Sequence, residues 1–513
     1  MTKNNAPQQS VLARTARGAG WVIGWRMTTR LIGILNTLIL ARLLVPADFG
    51  LVALATTFSG AIDSLSAVGV DAALIRAPHP SRAMYDTGFT LNLMRGGLTG
   101  LIIAVCARPL AGFYGDPRLA PLLFVLAAGV LADGFENTGI VDFRRNLTFD
   151  KEFRLKVFPR LLSVLVTIAC ALAWRSYWAL MAGIMAGRLS LLVQGYVMHP
   201  YRPRLSLAAW RDLASYSFWN WLIGVMWMVH DRVVNLSLGR ILGPASLGVF
   251  LIGGEIAGLP SSEMVLPLAR ACFPGFAAVQ QEGGDSGRAF LRIVSITTLI
   301  SLPAGVGLAL VAAPVIRLGF GPQWMAAVPV MRIFAILGVL SVFGIIGATL
   351  LSAHAHLRSI FFLALGGALV KLPVLIYFGL HFGLTGAALA LGVVGLGEQA
   401  VMAAMVCRRY HLRAADIARA HWRPVLATAA MALVLGLAGL GWRAPPDAPW
   451  RLALSLCAAV GAGAAVYGAS LLALWHLSGR PRGAETDLLG LLAPLATRLH
   501  RLHRFGKPTT PVN

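Results

Sequence analysis

The sequence predicts an all-α polytopic membrane protein, and three observations lead to that class. Hydrophobic residues fill 57% of the 513 positions and charged residues only 13%, whereas a soluble domain carries about a quarter charged residues. The mean hydropathy is +0.72. Apolar runs such as 299–313 and 427–441 recur along the whole chain, at the interval of about 20 residues that a helix needs to cross a bilayer. Such continuous runs exclude a transmembrane β-barrel, because its strands alternate over about 10 positions.

The apolar runs divide the chain into about fourteen predicted spans joined by short connections. We expect them at roughly 20–42, 48–75, 86–108, 119–141, 155–173, 177–198, 213–239, 246–269, 290–314, 324–352, 358–380, 384–406, 424–442 and 452–475. The N-terminal segment is polar, and no small-residue cleavage site follows a short apolar region. The first span is therefore expected to stay in the protein rather than leave as a signal peptide.

The formal net charge of +23 is distributed as membrane topology requires. With the N-terminus inside, basic residues cluster in inner segments such as 144–156, 202–211 and 408–423, while outer connections hold isolated arginines such as Arg42 and Arg240. This asymmetry follows the positive-inside rule and predicts that both termini are cytoplasmic. No nucleic-acid motif accompanies the charge, so we expect no nucleic-acid partner.

The cysteines and the C-terminal tail give no sign of a cofactor. Five cysteines are scattered in or beside apolar spans without a CxxC motif, so neither a metal site nor a disulfide is expected. The tail places leucines against Arg498, Arg501 and Arg504. It is compatible with an amphipathic helix on the anionic inner leaflet and equally with a disordered tail.

A ten-residue loop occurs twice. The stretch "ARLLVPADFG" at 41–50 returns as "GRILGPASLG" at 239–248, with every matched pair 198 residues apart. Proline is suited to starting the following helix because its missing N–H has no partner there anyway, and glycine permits close approach. Six predicted spans separate the copies, so both loops lie on the same side with the same direction. The halves are therefore predicted to be parallel repeats related by a pseudo-two-fold axis along the membrane normal, with a substrate site between them.

The repeat sets the predicted domain boundaries. We expect a cytoplasmic N-terminal segment at 1–19, an N-lobe of spans 1–6 at 20–205, a C-lobe of spans 7–12 at 206–410, spans 13–14 at 411–476 and a cytoplasmic tail at 477–513.

Several segments also resemble one family. The run "ARLLVPADFGLVALATTFSGAIDSLSAVGVDAALIR" is similar to the opening of bacterial oligosaccharide (Wzx-type) flippases, which form the polysaccharide transport family of the multidrug/oligosaccharidyl-lipid/polysaccharide exporter superfamily. The likeness continues through "RRNLTFDKEFRLKV", "HDRVVNLSLGRILGPASLGVF", "LPLARACFPGFAAVQ", "LGFGPQWMAAVPVMRIFAILG" and "FGLTGAALA". It covers about residues 17–410. No segment is a strict signature, and the order of the segments carries the resemblance.

The resemblance implies a transporter rather than an enzyme. Its expected cargo is a polyprenyl-diphosphate-linked oligosaccharide, moved from the inner to the outer leaflet for exopolysaccharide or lipopolysaccharide synthesis by alternating access of two lobes. The implied architecture is two six-helix lobes with two further helices. An H+ or Na+ gradient and a polysaccharide polymerase with its co-polymerase are candidate partners besides the lipid bilayer.

That cargo directs attention to cationic side chains inside spans, which are costly there and usually functional. Arg26 and Arg30 share one face of the first span, and we interpret both as diphosphate ligands because Arg binds phosphate bidentately. Snorkelling to the inner headgroups is the alternative for both. Arg95, Arg332 and Lys371 complete the predicted substrate-binding set; Arg332 and Lys371 are also compatible with a place near the inner surface.

Three acidic residues are candidates for ion coupling or gating. Asp63 lies on a polar stripe of the second span that continues to Ser66, Asp231 lies on a polar face of the seventh, and Glu255 lies in the eighth. The alternative to coupling is a structural role: Asp63 would be a hydrogen-bonding partner between helices, and Asp231 would form a salt bridge to another span. Four weaker candidates lie where a span boundary would place them at an interface: Asp133, Glu136, Arg188 and Glu398.

Three other functions share some of these features. A multidrug antiporter has the same superfamily architecture, but a cationic drug needs an acidic cavity and the candidates here lean basic. A lipid II-type flippase shares the mechanics and differs in cargo. A membrane-bound polymerase or ligase is expected to carry a large outer loop with catalytic groups, whereas outer loops such as "FGPQW" are short.

Overall fold

Helices form nearly all of the described chain. The computed structural model describes residues 6–66, 70–76, 80–146, 148–354, 356–440, 448–481 and 483–486. Within these ranges it describes the side chains of all residues except 6–23, 72, 76, 211–231 and 357. No strand occurs within those ranges. The chain divides into two compact units, residues 1–249 and 250–513.

The first unit contains the helices α1 (Ala6–Leu43), α2 (Pro46–Leu65), α3 (Val70–Arg76), α4 (Arg82–Tyr114), α5 (Leu119–Gly134), α6 (Val141–Arg145), α7 (Phe149–Trp174), α8 (Trp178–Met198) and most of α9 (Trp210–Ala257). The second unit contains α10 (Leu266–Gln281), α11 (Ser286–Leu310), α12 (Ala312–Gly319), α13 (Ala327–Gly338), α14 (Ser341–Ala353), α15 (Leu357–Arg409), α16 (Ala414–Leu437) and α17 (Pro449–Leu477).

Many of these helices suit a bilayer. Among the described residues, eight helices are long and apolar enough to cross a membrane, and two bent helix pairs raise the number to ten. At 1.5 Å per residue, the 53 residues of α15 extend about 80 Å, more than twice the hydrocarbon thickness of about 30 Å. A break at Gly383, where φ is 62°, divides α15 into two legs. The all-α polytopic class is confirmed, and the number fourteen stays a prediction.

Two of the predicted spans, 119–141 and 324–352, are bent in the structure, by 66° and 46°. The range 119–141 forms α5 and then a second helical stretch, Thr138–Arg145, turned by 66°. The side-chain amide of Asn137 caps the start of the second helical stretch of 119–141, because its Oδ1 accepts from the backbone N of Gly139 at 2.9 Å. Its Nδ2 donates to the carbonyls of Gly195 and Tyr201 at 3.3 and 3.0 Å. A buried amide with partners on α8 and beyond it thus redirects the chain.

Both copies of the repeated loop break a helix before proline, as predicted. In the first copy Val45 is extended, with φ −92° and ψ 159°, and Pro46 is the first residue of α2. In the second copy Gly243 has φ 79° inside α9, and Pro244 follows it. Proline therefore begins the next helical segment in each copy.

The two copies also contact each other reciprocally. A Cβ on Gly50 would lie 3.0 Å from the backbone N of Gly248, and a Cβ on Gly248 would lie 3.0 Å from the backbone N of Gly50. Each would also collide with the carbonyl oxygen of the proline in the opposite copy, Pro244 for Gly50 and Pro46 for Gly248. The contact exchanges onto itself when the copies are swapped, so it has local two-fold character and needs glycine at both positions.

An extended segment at 199–209 is fastened to the start of α4. Asp86 Oδ1 accepts from the backbone N of Arg204 at 3.0 Å and from the hydroxyl of Tyr201 at 2.5 Å. Further along, Thr90 Oγ1 accepts from Ser206 N at 2.9 Å. These bonds satisfy backbone donors that have no helical partner. The segment leading into α9 therefore belongs structurally to the first unit.

A cluster of buried apolar residues holds four helices of the second unit together. Phe276, Phe290, Ile346 and Val406 are at most 1% exposed and lie in one cluster formed by α10, α11, α14 and α15. Beside it, the hydroxyl of Tyr467 in α17 donates to the carbonyl of Leu299 in α11 at 2.6 Å. This packing attaches the last helices to α11.

Candidate substrate-binding site

An ion pair joins α2 to α4. Arg95 Nη1 donates to Asp63 Oδ1 at 2.5 Å, with 20% of the Arg95 side chain and 45% of the Asp63 side chain exposed. Arg95 lies thirteen residues beyond the first residue of α4, which places it about 20 Å along the helix. One turn further on, Thr99 Oγ1 donates to Ser66 Oγ at 2.8 Å. The pair is thus half-exposed, and it joins the interior of α4 to the last turn of α2.

A second ion pair joins α5 to α8. Arg188 Nη1 donates to Asp133 Oδ2 at 2.5 Å, with 27% and 36% of the two side chains exposed. Arg188 is the middle residue of α8. Asp133 also interacts electrostatically with Asp63 and Arg95, so the two pairs are neighbours. We call Asp63, Arg95, Asp133 and Arg188 the four-charge cluster.

Small residues bring these helices close enough to form the cluster. A Cβ on Gly96 of α4 would lie 3.0 Å from the carbonyl oxygen of Val130 in α5. A Cβ on Gly129 would lie 3.2 Å from Cδ of Arg188. Small residues at helix contacts are the usual means of close packing in membranes. The stem of Arg188 therefore lies directly against the α5 backbone.

Two further arginines cover glycines in the same unit. Nη2 of Arg160 in α7 would lie 3.1 Å from a Cβ placed on Gly33 of α1. The guanidinium carbon of Arg232 in α9 would lie 3.3 Å from a Cβ on Gly60, which precedes Asp63 by about one turn of α2. Neither arginine was among the predicted site residues, although both fall within predicted spans. Their charge inside a span was the signal that identifies them.

The arginines predicted in the first span lie on α1. Arg26 is exposed, with Cζ 5.8 Å from the ring centroid of Trp25. Arg30 is half-buried and lies three residues before Gly33, which Arg160 covers. The structure therefore places Arg160 near the face of α1 on which the sequence predicted diphosphate ligands.

The predicted residues of the second unit lie on three helices, α9, α13 and α15. Lys371 Nζ lies 3.4 Å from Glu398 Oε1, and this pair joins the two legs of α15. Arg332 on α13 is half-buried, and Glu255 on α9 is exposed. The side chain of Asp231, predicted for coupling, lies outside the described residues.

The first-unit arrangement is suited to an anionic ligand that exchanges with carboxylates. Within the four-charge cluster two arginines balance two aspartates, and Arg232 adds a positive charge on the same face of α2. Arg presents a rigid fork of donors that fits carboxylate and phosphate alike. No group of three or more His, Cys, Asp or Glu side chains placed to hold a metal ion occurs among the described residues.

Comparison with known proteins identifies the family. The family model described as "Polysaccharide biosynthesis protein" matches residues 39–329, more than half of the chain. The chain belongs to this family. It is 25% identical to the succinoglycan biosynthesis transport protein ExoT of Rhizobium meliloti, over 64% of this chain and 67% of that protein. It is also 25% identical to the lipopolysaccharide biosynthesis protein WzxC of Escherichia coli, over 75% of this chain and 79% of that protein. The resemblance to Wzx-type proteins is confirmed.

Two solved structures show the same fold at low sequence identity. The lipid II flippase MurJ in an inward closed conformation aligns with a TM-score of 0.67 and 12% identity, over 88% of this chain and 99% of that chain. An inward-facing multidrug resistance transporter of the MATE family, from the MOP superfamily, aligns with a TM-score of 0.59 and 16% identity, over 75% of this chain and 94% of that chain. These likenesses confirm the helical fold of the chain, while the two six-helix lobes stay a prediction.

Proposed function

We propose that this protein moves polyprenyl-diphosphate-linked oligosaccharide repeat units from the cytoplasmic to the periplasmic leaflet of the bacterial inner membrane. The observation that carries the proposal is the four-charge cluster, which holds Arg95 and Arg188 in helices of the apolar first unit. Charges within spans are retained for function. A diphosphate is the part of this cargo that arginines recognise best.

The cluster supports binding by exchange of partners. In the unloaded protein each arginine is held by an aspartate, which offsets the cost of placing a charge away from water. A diphosphate displaces the carboxylates and takes both guanidinium groups, while Arg160, Arg30 and Arg26 add positive charge along α1 and α7. Asp63 is the more exposed carboxylate of the two. Its release from Arg95 is the step at which we propose that H+ or Na+ binds, together with Asp231 and Glu255.

The remaining parts of the proposal concern organisation. The predicted lobes, 20–205 and 206–410, alternate in access. Arg332 contributes positive charge in the second of them, where Lys371 is held by Glu398. The termini are cytoplasmic, no enzymatic step is involved, and a polymerase with its co-polymerase receives the cargo. The family membership and the distribution of basic residues support this arrangement.

Deleting the gene tests the function. We expect lipid-linked repeat units to accumulate on the cytoplasmic leaflet and the surface polymer to disappear, and we expect the intact gene to restore both. If lipid-linked units still reach the outer leaflet at the normal rate, the proposal is wrong. Loss of peptidoglycan synthesis instead would identify lipid II as the cargo, and loss of cationic drug efflux would identify a multidrug antiporter.

A further inference from the structure

A cavity of about 650 Å³ lies in the second unit, at the N-terminal ends of α11 and α16. Three arginines line it, Arg292 from α11 and Arg419 and Arg423 from α16, and the segment 483–486 closes one side. Its volume corresponds to about twenty water molecules. The cavity shares no residue with the four-charge cluster, and its arginines have no part in the transport proposed above.

The innermost of these arginines is buried beside the carboxylate of Glu485. Arg423 is 9% exposed and Glu485 is 7% exposed, with Nη1 3.1 Å from Oε1. Despite that distance, Nη1 makes no well-aligned hydrogen bond. A guanidinium has five N–H donors, and a buried donor without a partner is costly. Arg423 therefore retains capacity for an anionic ligand.

The other carboxylate of the cavity already has a partner. Asp416 Oδ2 accepts from the backbone N of Arg413 at 3.0 Å, so it caps the start of α16, where its charge favours the helix dipole. Glu485 remains as the carboxylate that faces Arg423. Among the described lining residues, three arginines therefore stand against two carboxylates.

We propose that this cavity binds a phosphate-bearing anion, and that the anion displaces the carboxylate of Glu485 from Arg423. The exposed Arg292 and Arg419 stand at its rim, placed to add charge-assisted hydrogen bonds to the same phosphate. The distribution of basic residues predicts that these helix ends face the cytoplasm, where anionic lipid headgroups and soluble phosphates both occur. The shared chemistry is the phosphate group.

The test uses purified full-length protein in detergent and does not require transport. Binding of phosphatidylglycerol, phosphatidylethanolamine and inorganic phosphate is measured by native mass spectrometry and by the shift in melting temperature, with chloride at matched ionic strength as the reference. The variant is Arg292→Gln/Arg419→Gln, which removes two exposed charges at the rim. The matched control is Arg358→Gln/Arg408→Gln, which removes two exposed charges of the same unit outside the cavity.

The proposal expects a tenfold or greater loss of affinity in the rim variant and less than a twofold change in the control, because charge-assisted hydrogen bonds are lost only in the former. Selective binding of phosphatidylglycerol identifies a lipid headgroup, and binding of inorganic phosphate identifies a soluble ligand. Equal losses in both variants, or no binding of any of the three probes, would overturn the proposal.

A second variant separates ligand binding from a structural role of the cavity. Glu485→Gln removes the competing carboxylate, so the phosphate probe should bind more tightly and raise the melting temperature by more than it does in the unmodified protein. A cavity that only packs the tail against α16 predicts no gain in binding. Unchanged or weaker phosphate binding in Glu485→Gln would contradict the displacement of Glu485.

Discussion

The two copies of the repeated loop lead into helices with different chemistry. Asp63 follows the first copy and pairs with Arg95. The residue 198 positions after Asp63 is Ser261, whose hydroxyl donates to the carbonyl of Gly338 at 3.3 Å and lies 3.2 Å from Oγ of Ser341. A charged pair in the first unit thus corresponds to a neutral hydrogen bond in the second. The repeated loop and its helix-starting proline occur in both copies, whereas the charged residue that follows occurs only after the first.

The Lys371–Glu398 pair and the four-charge cluster also differ in exposure. In the second unit Lys371 and Glu398 are 13% and 19% exposed, whereas all four side chains of the four-charge cluster are at least 20% exposed. A more buried pair is held by its surroundings and is costly to open. A more exposed pair exchanges partners more easily. The difference assigns ligand exchange to the first unit and attachment of the two legs of α15 to Lys371 and Glu398.

The largest expected effect concerns the contact between the two copies. Gly50→Ala and Gly248→Ala should each lower the stability of the protein by about 3 kcal/mol, because the added methyl meets backbone that has no room to move. Gly97→Ala is the control, since a Cβ there meets nothing within 4 Å. Thermal unfolding in detergent measures all three. A loss of stability in only one of the two loop variants would show that the contact is not reciprocal.

The next-largest effect concerns transport, which should depend on the arginines of the first unit more than on Lys371 of the second. Arg95→Gln and Arg188→Gln should each reduce surface-polymer production in the deletion strain by about tenfold to a hundredfold, as expected when a charge-assisted contact of about 1.5–3 kcal/mol is lost. Lys371→Gln should reduce it by less than threefold at equal abundance in the membrane. Equal losses for all three would remove the distinction between the units.

A smaller effect is expected from the coupling within each pair. A double-mutant cycle of Asp63→Asn and Arg95→Gln should give a coupling energy for stability of about 0.5 kcal/mol, because half-exposed pairs contribute little. The corresponding cycle of Lys371→Gln and Glu398→Gln should give about 1–3 kcal/mol, since the pair is more buried. A larger coupling in the first unit would indicate that Asp63 and Arg95 are a structural pair.

The smallest effect is a dependence of stability on pH at the end of α8. Burial lowers the pKa of His199 below its ordinary value, although Asp142 nearby acts in the opposite direction. The neutral ring is needed because Nδ1 accepts from the backbone N of Tyr201 at 3.2 Å. Its stabilisation is complete above the ordinary histidine pKa of about 6.5 and is lost as the pH falls below it. The melting temperature should therefore fall on acidification, and fall less in His199→Gln.

The sequence predicts the helical class, the repeat and the helix starts at Pro46 and Pro244, because these depend on composition and on local backbone chemistry. It does not predict the bend at Asn137, whose amide finds its partners at Gly195 and Tyr201, far along the chain. The pairing of Asp63 with Arg95 is equally hidden, since it depends on the rotation of α2 against α4. For this reason residues predicted to have separate roles form one pair.

The central claim is that the four-charge cluster of the first unit handles the diphosphate. Translocation of a labelled polyprenyl-diphosphate-linked oligosaccharide in proteoliposomes tests it most directly, with the unmodified protein, Arg95→Gln/Arg188→Gln and Lys371→Gln/Glu398→Gln reconstituted in equal amounts. We expect the first double variant to lose translocation and the second to retain most of it. Full translocation by Arg95→Gln/Arg188→Gln would contradict the claim.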